Sequence, residues 1–469
     1  MPRINSVSII AVITTLLLNF PLQAQQPPGP EKEAARDAQP GSNAQSKAAT
    51  EEEVVALEEE SAKAYEEDNF VRYYASNMKL HKVRPYEPSY LENIIAACAL
   101  VNRPRTGYHY LLQMQQQGLA YDLNKNPDTE NIRDTEVWEY LVNLMINAGF
   151  PNGAGEIAFT LPAEFARPAA ISWDEGRGRF LVGTEKDGAI VAVSEDGSTE
   201  VLIQANDENG LWAIRGLHAD QANNRLWVSS AAIPGFAAYQ AIDKGRGALF
   251  EFDLETLELK GRFNVPVDGL KHELGPLAVS GDGDVYVADL TQPIVLRKTA
   301  KGKNLETFVA SKELVALRDI AFSPDNGKLY IADGFMGIMV VDPVQQTSVM
   351  LTGPENLNLG AISGLFYDQG QLVMIQNGFQ PQRVMRLELD ASGTNVENII
   401  PLAIALEEFD RPAFGMIKGE EVYYFANPGR PGTEIENKAV MVMKSPLEPK
   451  DSIKPPEERE IKRRIEAKK

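Results

Sequence analysis

The chain has 469 residues, 43% of them hydrophobic, and a formal charge of −20, which is length enough for at least two cores. So acidic a balance argues against nucleic acids and anionic membrane surfaces as partners, because their phosphates are repelled. One cysteine, Cys98, excludes an internal disulfide; in the apolar helical run 94–100 it reads as a small buried core residue.

Arg3 precedes a mostly apolar stretch, 7–20, that runs out near Ala24. A basic start, an apolar segment of this length and a small residue at the cut describe a secretory signal peptide over 1–24. An uncleaved N-terminal anchor is the alternative. A membrane span needs roughly 20 apolar residues, and no later run reaches that. The expectation is a periplasmic or secreted protein with no membrane span after signal removal. Residues 25–50 hold Pro, Gly, Gln, Ala and charge with almost no large apolar side chain, and read as a disordered linker. Thr50 followed by Glu51, Glu52 and Glu53 has the chemistry of a helix N-cap with an acidic first turn.

From 51 to 150 the apolar period is helical. "YLENIIAACALVN" (90–102), the turn Arg103-Pro104-Arg105 and "TGYHYLLQMQQQGL" (106–119) predict an antiparallel helical hairpin, and "DTEVWEYLVNLM" (134–145) a further amphipathic helix. The hairpin, with small Ala96, Ala97 and Ala99 followed by Tyr108, Leu111 and Leu112, resembles one tetratricopeptide-like repeat. No clear second and third copy follows, and about three are normally needed for a solenoid. The segment is therefore read as a small helical cap docked on the next domain, with a peptide-binding groove as the alternative.

At Gly149-Phe150-Pro151-Asn152-Gly153 the period changes from 3.6 to 2. The stretch "LRDIAFSPDNGKLYIADG" (317–334) is two short strands around a tight turn. Variants of it occupy 168–184, 214–230, 274–290, 362–378 and 412–428, with successive equivalent positions 43 to 60 residues apart. Between copies there is room for two more strands, as "GIMVVDPVQQTSVMLTG" (337–353) shows. Four short antiparallel strands in each unit of about 40–50 residues is the signature of a propeller blade. The prediction is an all-β six-bladed β-propeller over 156–446, preceded by the helical domain and followed by a charged tail, 447–469. The sixth copy is followed by one convincing strand, 438–447, so "EIAFTLP" (156–162) is expected to complete blade six from the other end of the propeller. Its Ile157, Phe159 and Leu161 are expected to share a packed face.

The six blades, the "SPDNGKLYIADG" and "GDGDVYVADL" turns and the secretory start resemble the SMP-30/gluconolactonase-like group of six-bladed propellers, over roughly 156–446. Enzymes of that group hydrolyse lactones or phosphotriesters with a divalent metal in the channel, held by a Glu and by Asn and Asp residues that open the inner strands. The resemblance implies the same channel here but not the same ligands. The place of the ligand Glu falls at about Ala169, and the other inner strands open with Arg215-Gly216, Gly275-Pro276, Arg318-Asp319, Ser363-Gly364 and Ala413-Phe414. Asp319 alone among these suits a cation, and Arg318 beside it opposes one. No metal and no other cofactor is therefore predicted; calcium or another divalent metal belongs only to the hydrolase alternative.

In a propeller the residues just before the inner strands face the channel mouth, where a small-molecule site is expected. The candidates are Trp212, Arg215, His272, Glu273, Arg318, Asp319 and Asn377. Arg215 and Arg318 predict a locally positive mouth that grips carboxylate or phosphate. His272 and Glu273, in "KHELGP", have acid–base chemistry, although a loop histidine beside a solvated glutamate is the plainer reading. Trp212 and Asn377 could recognise a ligand, although blade-to-blade packing and turn hydrogen bonds are the plainer reading. No catalytic residue stands out, since Gly-x-Ser-x-Gly and phosphate-loop patterns are absent from the sequence. The expected function is binding, of a small anionic ligand at the mouth or of a protein partner across cap and propeller. The alternative is a divergent metal-dependent hydrolase of the lactonase or phosphotriesterase type.

Overall fold

The computed structural model describes residues 51–324, 327–429 and 438–449. The expected signal peptide, the linker with the Thr50 cap, and the tail beyond 449 lie outside the described residues, as do Asp325 and Asn326 of the turn that carries the family resemblance.

Six antiparallel sheets surround a channel. Their inner strands are Pro168–Asp174, Ala213–Asp220, Leu274–Val279, Leu317–Ser323, Ile362–Asp368 and Ala413–Lys418. Each packs beside the next, and the sixth returns to the first, so the molecule is the six-bladed propeller read from the repeats. The apolar faces of successive blades bury one another. Trp227, Leu249, Val287 and Leu296 fill the space between blades two and three, and Tyr286, Ile320, Ile331 and Val341 that between three and four.

Each inner strand breaks register near its start, between Pro168 and Ala170, Ile214 and Gly216, Leu274 and Leu277, Leu317 and Asp319, Ile362 and Gly364, and Ala413 and Gly415. A β-bulge leaves its extra residue unpaired and re-aims that side chain. The residues so freed are Ala169, Arg215, Gly275 with Pro276, Arg318, Ser363 and Phe414. Two aspartates at the ends of second strands then pin the loops in front of the inner strands. Asp333 accepts from the backbone N–H groups of Val315 and Ala316 at 2.6 and 2.7 Å, and Asp289 from that of Glu273 at 3.2 Å. This is the use of the Ala-Asp pair that recurs in "VADL" and "IADG".

The propeller closes as expected. Glu156–Leu161 pairs antiparallel with Val440–Pro446 and is the outermost strand of blade six. Phe159 and Leu161 are buried between blades six and one. Ile157 does not join them: a register shift between Ile157 and Phe159 breaks the alternation and leaves it 49% exposed.

Among the described residues, five α-helices precede the propeller: α1 (Glu51–Glu66), α2 (Phe70–Val83), α3 (Pro88–Leu100), α4 (Pro104–Gln116) and α5 (Glu136–Ala148). The hairpin α3–α4 is as expected, except that Pro104 opens α4 and does not sit in the turn. Proline has no N–H to leave unpaired and its φ suits the first helical position. Cys98 is fully buried, which pushes its thiol up to about 12. The core of the hairpin, including Leu91, Ile95, Leu111 and Trp138, also takes in Phe379 of blade five.

The helices sit on the mouth side of blades four and five. The Ala120 N–H donates to the Gln380 carbonyl at 2.9 Å, Arg383 to the Gln117 carbonyl at 2.8 Å, and Asn358 to the Gln117 side chain at 3.1 Å. Tyr86 lies so close to Gly360 that a Cβ there would meet its carbonyl oxygen at 2.7 Å. Asn152–Gly153 adds a fifth strand to blade five, against Ile404 and Ala403. Among the described residues, no helix is long and apolar enough to cross a membrane.

Candidate functional site

A cavity of about 370 Å³ opens at the channel mouth, between the cap and the propeller. Four arginines line it: Arg167, Arg215, Arg318 and Arg411, from blades one, two, four and six. Arg215 and Arg318 arrive there as the bulge residues of their strands. Arg167 and Arg411 arrive by a different device. Arg167 stands two residues before the bulge residue Ala169 and Arg411 three before Phe414, both in the sequence Arg-Pro-Ala, with left-handed backbone (φ 57 and 62). Ala361, two residues before Ser363 in blade five, has φ 55. Such conformations are sparse outside glycine and mark places where the surroundings fix the backbone.

The four guanidinium groups differ in what neutralises them. Arg215 is nearly buried and is paired with Glu185 and with Glu273, the latter at 3.0 Å. Arg167 and Glu185 are joined through the backbone, the Glu185 N–H donating to the Arg167 carbonyl at 3.0 Å. Glu87 reaches the cavity from the cap, but its carboxylate accepts from Ser89 N–H and Oγ at 3.2 and 2.8 Å and caps α3. Arg318 and Arg411 make no ion pair with a described residue. The rest of the wall is largely apolar, with Tyr86, Phe335, Ile362, Phe379 and Phe414.

Three of the residues singled out in the sequence, Arg215, Arg318 and Asn377, line this cavity. Asn377 donates from Nδ2 to the Pro412 carbonyl at 3.0 Å, tying blade five to the segment that carries Arg411. Glu273 stands behind Arg215. Asp319 lies deeper, in a second space of about 380 Å³ enclosed by the inner strands. Its carboxyl accepts from the N–H groups of Leu365 at 2.7 Å and Ile320 at 2.8 Å, and burial raises its pKa to about 7.

The other two do not line the cavity. His272 is 3% exposed, with its ring between Asp289 at 2.6 Å and Asp268 at 3.0 Å. Burial pulls its pKa down, and the two carboxylates more than offset that, so it lies above the ordinary histidine value. It fastens the loop between blades two and three. Trp212 packs under the Arg262 guanidinium, 5.0 Å from the ring centre, while its backbone N–H donates to Ser230 Oγ at 2.8 Å.

The sequence reading missed Arg167, Arg411, Glu185 and Tyr86. A signal for the first two exists, because Arg-Pro-Ala stands before two of the six copies and nowhere else in the chain. The same geometry bears on a divalent cation of the kind the resemblance implies. A hard cation needs several free oxygen ligands. Among the described residues of this mouth the carboxylates are paired or capping, and the charges without an ion pair are the Arg318 and Arg411 guanidinium groups, so this donor set does not fit one. Among the described residues, no group of three or more His, Cys, Asp or Glu is placed to hold a metal.

No protein-family model matches the sequence, and no curated protein does. Solved structures do align with the chain. The PQQ-bound form of an aldose sugar dehydrogenase from Streptomyces coelicolor shares 15% identity over 62% of this chain and 98% of its own, with a TM-score of 0.42. A gluconolactonase from Xanthomonas campestris shares 16% over 64% of this chain and 95% of its own, with a TM-score of 0.43. A nidogen/laminin complex contributes a chain with 12% identity over 51% of this chain and 86% of its own, at 0.38. The fold assignment itself rests on the strand topology.

Proposed function

We propose that this protein is an exported binding module that holds a small anionic molecule in the cavity between cap and propeller. The observation that carries this reading is the pair Arg318 and Arg411, two guanidinium groups in one cavity without an ion pair to any described residue. A guanidinium in a partly closed, apolar-walled space gains more from an anion than one in open water, because the local dielectric is lower. Its planar fork matches a carboxylate or phosphate with two hydrogen bonds. The aromatic and aliphatic wall takes the body of the molecule.

The test is a thermal-unfolding screen of organic acids and phosphates at low salt. Some acids or phosphates should raise the melting temperature. The rise should shrink as salt screens the charges, and it should vanish in Arg318→Ala. A screen without a shift, or shifts indifferent to Arg318→Ala, would overturn the proposal. Asp319 favours a second reading, since a carboxyl that titrates near neutral pH inside the channel suits general acid–base work. Turnover of a lactone or phosphotriester that Asp319→Asn abolishes would replace the binding reading with that of a divergent hydrolase.

A further inference from the structure

We infer that the ligand of this cavity is a dianion, with one anionic group on Arg318 and the other on Arg411 across blade five. The inference rests on the binding reading above and narrows it.

The two arginines do not belong to one blade or to neighbouring blades. Arg318 is the bulge residue of blade four and Arg411 precedes the inner strand of blade six. Blade five lies between them and supplies Ile362, Ser363 and Asn377 to the same wall. A ligand with a single anionic group meets one guanidinium and leaves the other unneutralised in a partly enclosed space.

The remaining charges do not change that count. Arg215 is already matched by Glu185 and Glu273, and Glu87 is committed to the α3 cap. Arg167 is not without a partner of its own, and its guanidinium reaches the long loop of blade two, with Nη1 2.5 Å from the position a Cβ on Gly235 would take.

The floor between the two arginines says what joins the anionic groups. Ser363 Oγ and Asn377 Nδ2 both spend their donors on the Pro412 carbonyl, at 2.9 and 3.0 Å. The second Nδ2 proton of Asn377 faces the Arg411 carbonyl at 3.5 Å, so these two side chains turn their donors to backbone carbonyls, and Asn377 Oδ1 can only accept. Ile362 and the Tyr86 ring add apolar surface, and no charged group stands between the two arginines among the described lining residues. The middle of the ligand is therefore a carbon spacer, apolar or carrying a hydroxyl. The chemical class is two separated anionic groups on a short carbon chain, as in a dicarboxylate.

Calorimetric titration of the full chain with matched straight-chain acids tests this: succinate against butyrate, glutarate against valerate, adipate against hexanoate. At one chain length the dicarboxylate should bind about tenfold or more tighter than its monocarboxylate, tenfold being 1.4 kcal/mol. Arg318→Ala and Arg411→Asn should each bring the dicarboxylate down to the affinity of the monocarboxylate. Asn is chosen at 411 because it tolerates the left-handed backbone there. Neither side chain makes an ion pair with a described residue, so both variants without ligand should keep the melting temperature of the parent chain. Equal affinities within every pair would overturn the dianion and leave the binding reading standing. Tight dicarboxylate binding that survives both substitutions would overturn the placement on these two arginines. If the anion screen gives ligands but no straight-chain acid binds, the dianion inference falls alone. If neither screen nor series binds, both fall.

Discussion

A chain that begins at Ala163 should melt roughly 10 °C or more below one that begins at Gly153, and it should aggregate. Both keep all six inner strands; they differ in the strand that closes blade six. That strand buries Phe159 and Leu161, 6% and 0% exposed, each contributing about 1.5–3 kcal/mol. It also pairs five residues with Val440–Lys444, and each ladder hydrogen bond adds about 0.5–1.5 kcal/mol. Without it, Val440–Pro446 becomes a bare edge that other chains can pair with. Leu161→Asp in the full-length chain should reproduce the effect without truncation, because it puts a charge among Ile171, Phe180 and Val442. Equal melting temperatures for the two chains would mean that closure contributes nothing to stability.

The second large effect is on the pH dependence. Between about pH 4 and pH 7, Asp319 should make the protein less stable as pH rises. An aspartate in the unfolded chain titrates near 3.9, whereas burial raises that of Asp319 in the fold to about 7. In this window the folded state keeps a proton that the unfolded state has released, so stability falls with rising pH. The contribution is fully present below the unfolded value and is lost once pH passes the folded one. A shift of this size corresponds to about 4 kcal/mol at 1.36 kcal/mol per unit. Asp342 and Asp390 are shifted the other way, chiefly by hydrogen bonds they accept, so the whole protein also weakens at acid pH. The difference between wild type and Asp319→Asn, in denaturant midpoints across pH 4–8, isolates the effect. The amide can still accept from the Leu365 N–H but does not titrate. Parallel pH profiles for the two proteins would show that the Asp319 carboxyl ionises normally in the fold.

How much of this was legible in the sequence depends on the scale. The blades were, because an inner strand, a tight turn and a second strand buried on both faces write the same apolar pattern in each copy. Closure was legible for the same reason, since blade six lacked a strand and 156–161 had no place in blade one. The site was legible only in part. Arg215 and Arg318 open strands in a way the pattern shows, but the bulge that turns both into the cavity leaves no mark in the residue order. His272 and Trp212 precede strands just as closely, yet they have other fates. One is drawn inward by Asp289 and Asp268, and the other is turned onto Arg262. Arg167 and Arg411 were overlooked because they stand just outside the repeating stretch, held by a left-handed backbone that no local preference for arginine foretells. Tyr86 and Glu87 belong to the cap, and only docking of that cap on blades four and five brings them over the mouth.

The most direct test of the anion site is a crystal of the full chain soaked in selenate, a dianion visible by its anomalous scattering. The expected result is a peak inside the mouth at Arg318, at Arg411 or at each of them, that disappears in crystals of the double variant Arg318→Ala, Arg411→Asn. Selenate found only at surface arginines and lysines elsewhere, with the mouth empty, would contradict it.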